Sequence, residues 1–159
     1  MLPAPSPATK RHQQPDPRLH PLSRRKFHNR RCPGAGTELG TGTSLGVLNS
    51  TGEAAGIAID DSFLSHPFIR DPFGKFTSWG IPGSASIDVI ALNDLGAVVG
   101  QWFDSSSLPH AYQRTPLGII TSFSVPVPNT GATPMATSNR GRIAGIYSDL
   151  RSVNHGFVR

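Results

Sequence analysis

From residue 37 onward, short apolar runs rich in β-branched and aromatic residues are separated by polar clusters of Gly, Pro, Asn and Ser. This punctuation is the signature of short strands. Asp88–Asn93 (DVIALN) reads as one strand and Ala97–Asp104 (AVVGQWFD) as a second. His110–Arg114 (HAYQR) reads as a third and Ile120–Val125 (ITSFSV) as a fourth. Asn93-Asp94-Leu95-Gly96 between the first two is turn chemistry, because Asn and Gly tolerate positive φ. No stretch here carries a helical period.

The pattern recurs about every 44 residues. Leu48–Gly56 (LNSTGEAAG) returns as Leu92–Gly100 (LNDLGAVVG) and again as Thr137–Gly145 (TSNRGRIAG). Four residues after the last glycine of each copy stands an aspartate: Asp60, Asp104 and Asp149. Ten residues after it stands His-x-aromatic: His66-Pro67-Phe68, His110-Ala111-Tyr112 and His155-Gly156-Phe157. Gly74, Thr77-Ser78-Trp79 and Pro82 match Gly118, Thr121-Ser122-Phe123 and Pro126. Self-similarity at a fixed period means one supersecondary unit stacked on copies of itself.

The expected fold class is therefore all-β, with tandem four-stranded antiparallel units in a propeller-like arrangement, partial or completed by an oligomer. Thr37–Ser44 reads as the fourth strand of a preceding unit, and the last copy stops after its third strand at Arg159. That makes twelve strands, or three units, below the usual four to eight blades of a closed propeller. The chain then reads as a piece of a longer array, a self-associating half-ring, or an open stack.

In these motifs the chain resembles the bacterial extracellular repeat, HAF family. The resemblance rests on Leu92–Gly100, His110-Ala111-Tyr112, Thr37–Thr41 and Trp79–Gly83, and it covers about residues 37–159. Ser138 stands where Asn is expected, and Tyr112 where Phe is usual. The resemblance implies a β-propeller-like protein at the cell surface or outside the cell, and it transfers no catalytic residue.

Charge separates an N-terminal arm from the rest. Residues 1–31 hold Lys10, Arg11, Arg18, Arg24, Arg25, Lys26, Arg30 and Arg31 against Asp16 alone, net +7, while the remainder is net −2. Seven prolines by position 33 and the lack of apolar periodicity mark residues 1–36 as a disordered arm before a β domain over 37–159. The basic stretch 10–31 offers an electrostatic alternative, attachment to nucleic acid or another anionic surface. Nucleic acid is disfavoured, because neither interleaved aromatics nor a binding motif accompanies the charge. Ser23-Arg24-Arg25-Lys26-Phe27 resembles a twin-arginine export motif, but polar residues follow where an apolar segment is required. The sequence shows no intact signal peptide and no membrane span. Cys32, the lone cysteine, has basic neighbours that lower a thiol pKa, yet a free thiol in a tail reads as incidental.

The three recurrent histidines do not read as a metal site, since equivalent positions in successive units do not converge on one point. Each follows its aspartate by six residues across one hairpin, so the pairs Asp60–His66, Asp104–His110 and Asp149–His155 read as turn-fixing hydrogen bonds. The recurrent aromatics read as packing between sheets. Positions that break the repeat are the binding candidates: Trp102, Phe103 and Arg114 foremost, then Phe63, Arg70, Arg140 and Arg151, with Trp102 placed to stack on a sugar. Gly34–Gly40 lacks the spacing and the βαβ setting of a dinucleotide loop, and the sequon Asn49-Ser50-Thr51 coincides with the repeat's own turn. No catalytic, cofactor or metal set is expected. The expected function is a non-enzymatic binding or structural module recognising a carbohydrate or protein. The alternatives are the basic arm acting on an anionic surface, and a piece of a larger propeller enzyme.

Overall fold

A computed structural model describes residues 30–125 and 131–159. The basic arm before residue 30, its twin-arginine motif and Pro126 lie outside the described residues. Among the described residues the chain is all-β, with no helix.

Three antiparallel meanders form three sheets. The first runs β1 (Gly42–Leu48), β2 (Ala54–Ile59), β3 (Ser65–Arg70) and β4 (Phe76–Ser78). The second runs β5 (Ser86–Leu92), β6 (Val98–Phe103), β7 (Pro109–Arg114) and β8 (Ile120–Phe123). The third runs β9 (Ala132–Thr137), β10 (Ile143–Ser148) and β11 (Asn154–Val158). None of the sheets closes on itself. No helix is long and apolar enough to cross a membrane among the described residues.

One turn design makes all eight hairpins. Each begins at Asn49, Asp60, Asp71, Asn93, Asp104, Thr115, Ser138 or Asp149. The head residue's N–H donates to the carbonyl four residues on, and its carbonyl accepts from the N–H three residues on. Its side-chain oxygen accepts the N–H of that same residue four positions on in every case. The fourth residue of the turn itself has positive φ, which is why five of these positions are glycine. The other three are Phe63, Ser107 and Ser152, at φ 60–62°. This is the type I turn with a left-handed bulge residue that suits a three-residue hairpin loop.

Gly56, Gly100 and Gly145 are required for a different reason. They pair across the sheet with Phe68, Tyr112 and Phe157. A Cβ at Gly100 would meet the Asp88 carbonyl oxygen and the Tyr112 ring, and at Gly145 the Thr133 carbonyl and the Phe157 ring. Each glycine sits at a β-bulge of the neighbouring first strand, where the register shifts. The bulge drives a carbonyl toward the opposite strand, and only a residue without a side chain leaves room for it.

The sheets pack face to face. Ala55 of the first sheet meets Ile87, Val98 and Tyr112 of the second, with Val47, Ile69, Trp79 and Trp102 around them. Ala111 and Val125 of the second meet Ala132 of the third, with Tyr147 and Phe157 beside them. Polar bonds fix the stacking. Asn49 Nδ2 donates to the Asn93 carbonyl at 2.9 Å, and Asn93 Nδ2 donates to the Ser138 carbonyl at 2.8 Å. Alongside, the Ser50 N–H donates to Asp94 Oδ1, and the Asp94 N–H to Asn139 Oδ1.

The start of the domain differs from the sequence expectation. Thr37–Gly40 is a turn rather than the fourth strand of a preceding unit, so the described strands number eleven, not twelve. Residues 32–36, expected in the arm, belong to the β unit, whose compact body begins at Arg31. Cys32 and Ala35 cover Ala58 and Phe68 on the first sheet's outer face. The Cys32 N–H donates to Thr43 Oγ1, and the Gly36 N–H to the Ile59 carbonyl. Burial pushes the Cys32 thiol up; this is a packed core thiol, not a reactive tail cysteine.

Candidate functional site

The His–Asp pairs lie where their spacing put them. His66 Nε2 is 2.8 Å from Asp60 Oδ2, His110 Nε2 is 3.0 Å from Asp104 Oδ2, and His155 Nε2 is 3.1 Å from Asp149 Oδ2. A carboxylate only accepts, so Nε2 carries the proton. The other oxygen of each aspartate accepts two backbone N–H groups of its turn. These bonds hold Asp60 and Asp104 below the ordinary carboxylate pKa, the histidine bond first and the backbone bonds after. For Asp149 the Val153 N–H contributes most and His155 next. The chemistry of these six residues is spent on the β2–β3, β6–β7 and β10–β11 turns. Among the described residues, no group of three or more His, Cys, Asp or Glu side chains is arranged to hold a metal ion.

Trp102 is a candidate for stacking on a sugar and reads equally as a packing residue. It is half-buried, stacked on His110 with ring centroids 4.2 Å apart, and its Nε1 donates to Ser122 Oγ. The equivalent position in the first copy is Ala58, so the repeat varies here. Tyr147 holds the same place in the third sheet and stacks on His155 at 5.1 Å. Phe103 is half-buried and pairs with Ser86 and Pro109. Neither aromatic lies with Arg114 in one recess.

Arg114 was also expected to break the repeat, and it does not. Arg70, Arg114 and Arg159 each stand two residues after the recurrent aromatic, and each guanidinium lies over a ring. Arg70 covers Phe76 at 5.9 Å, Arg114 covers Trp79 at 4.7 Å, and Arg159 covers Phe123 at 4.6 Å. The last two cross from one sheet to its neighbour, as inter-sheet cation–π struts. A His-x-aromatic-x-Arg spacing in all three copies was the signal for this role.

Arg114 nonetheless differs from its two equivalents. It is 7% exposed, and its Nε finds no hydrogen-bond partner. Its Nη1 donates to the Thr115 carbonyl at 3.3 Å, and burial lowers its pKa. It lines a cleft of about 250 Å³ between the first two sheets, together with Glu53, Asp71, Lys75 and Thr77. The sequence did not reveal this cleft, because its residues come from strands and turns of two different units. Glu53 Oε2 accepts the Asn49 amide, and Asp71 Oδ1 accepts the Lys75 N–H. Both carboxylates are thereby oriented by the hairpins that carry them.

Comparison with protein-family models, with curated proteins and with solved structures finds no match for this chain.

Proposed function

We propose that this chain is a non-enzymatic binding module built as a propeller-like stack of about 44-residue units, recognising a carbohydrate or protein surface. Its resemblance to the extracellular HAF repeats supports a role at the cell surface or outside the cell. One observation carries the binding reading. The recurrent Asn, Asp and His side chains are consumed in turns and sheet contacts. By contrast, the cleft between the first two sheets gathers Lys75, Arg114, Glu53 and Asp71 around open space. Convergent polar groups in a recess on a rigid scaffold can fix a ligand's orientation.

The test is a screen of immobilised polysaccharides and surface proteins with the full chain. Retention of a partner that is lost when Lys75 and Leu95 are changed, with the circular dichroism spectrum kept, supports the module. Turnover of the retained partner contradicts the non-enzymatic reading.

A further inference from the structure

One buried donor of the inter-sheet cleft, Arg114 Nε, has no hydrogen-bond partner. Its guanidinium stacks on Trp79, 4.7 Å from the indole centroid. Burying a guanidinium without a counter-charge is unfavourable, and a ring face offsets only part of that. Among the described residues no carboxylate lies within salt-bridge distance of Arg114 or Lys75. The Glu53 and Asp71 carboxylates share the cleft, but their mapped hydrogen bonds go to Asn49 and to the Lys75 backbone. The cleft therefore holds two cations with no salt-bridged carboxylate, Arg114 and Lys75, and two carboxylates, Glu53 and Asp71, that keep free lone pairs for hydrogen-bond donors.

From this arrangement, and resting on the binding reading above, we propose that the cleft takes a small carboxylate that also carries hydrogen-bond donors. The carboxylate faces Arg114 and Lys75, and the donors face Glu53 and Asp71. A planar guanidinium matches a carboxylate with two parallel bonds. The space of about 250 Å³ suits a molecule of monosaccharide or amino-acid size rather than a polymer segment of several units. A sugar acid, through its hydroxyls, and an α-amino acid, through its ammonium, present this chemistry.

Titration calorimetry of the full chain with a hexuronate, its neutral parent hexose and a small α-amino acid tests this. Binding of either carboxylate without binding of the hexose is the expected result, and which one binds identifies the source. The exposed Lys75→Glu variant is expected to weaken that binding at least about tenfold, as loss of a charge-assisted contact does. Arg114→Lys is expected to weaken it further, with fold checked by circular dichroism. Lys75→Glu keeps the test decisive if Arg114→Lys unfolds. No heat from either carboxylate up to its solubility limit, or equal binding of the hexose, overturns the proposal. So does an affinity that Lys75→Glu leaves unchanged. A partner found in the surface screen without any carboxylate dependence sinks this inference alone. Carboxylate binding without a surface partner sinks only the broader reading.

Discussion

Asn93 gives its side-chain amide to the backbone carbonyl of Ser138, 45 residues later, at 2.8 Å. Asn49 gives its own amide to the carbonyl of Asn93 at 2.9 Å. The same side chain that builds the hairpin thus joins one sheet to the next. Asn93 Oδ1 accepts the Leu95 and Ala97 N–H groups, so one buried residue closes its turn and anchors its neighbour. Ser138, where the third copy lacks Asn, keeps the turn bond through Oγ to the Arg142 N–H but has no amide to pass on.

Asn93→Ala removes all three bonds and leaves buried backbone groups unpaired. It is expected to destabilise the chain by about 2–4 kcal/mol in urea unfolding. Asn93→Asp keeps the acceptor oxygen for the turn and loses the donor, so a smaller loss is expected, about half.

The glycines separate into two kinds, and substitution distinguishes them. Gly100→Ala drives a Cβ into the Asp88 carbonyl and the Tyr112 ring. It is expected to cost about 3 kcal/mol or more, or to prevent folding. Gly156 lies in β11, with nothing within 4 Å of a built Cβ and no positive φ. Gly156→Ala is expected to be neutral or slightly stabilising, and thermal melting of the two variants reads the contrast.

Ser107 holds a left-handed φ of 60° at the bulge position of its turn. That conformation costs a non-glycine residue about 1–2 kcal/mol, while glycine adds about 0.5–1 kcal/mol of unfolded-state entropy. Ser107→Gly is therefore expected to raise stability by about 0.5 kcal/mol. The reverse control is Gly141→Ala, at φ 76° with open space around it. It is expected to lower stability by about 1 kcal/mol through backbone strain alone.

Asp60, Asp104 and Asp149 have folded-state pKa values below their unfolded values. The unfolded chain binds more protons as they titrate, so their stabilisation is present above the ordinary carboxylate pKa of about 4 and lost as pH falls through the lowered values. Urea midpoints are expected to fall with acidification below about pH 4. The triple variant Asp60→Asn, Asp104→Asn, Asp149→Asn is expected to flatten that fall, and an unchanged slope contradicts this assignment.

Strands were legible in the sequence because their signal is local. The β5–β8 boundaries fall within about two residues of the short apolar runs, and the turns carry Asn, Asp and Gly where φ demands them. Thr37–Ser44 misled because Thr and Leu at the right spacing look like a strand, whereas Gly40 and Gly42, both at positive φ, break it into a turn before β1. Trp102 was ambiguous in the sequence because an aromatic beside polar loops reads the same whether it faces solvent or a histidine ring. The cleft was not legible at all. Its residues are assembled only when two sheets stack, and no spacing within one copy reports that.

The most direct measurement is an amide and guanidinium NMR titration of the isotope-labelled full chain with a hexuronate and with an α-amino acid. If the inter-sheet cleft is the binding site, shifts from the ligand that binds concentrate at Thr77, Leu95, Gly96 and the Arg114 Nε–H. Shifts centred on Trp102 and His110, or none with either ligand at saturating concentration, contradict it.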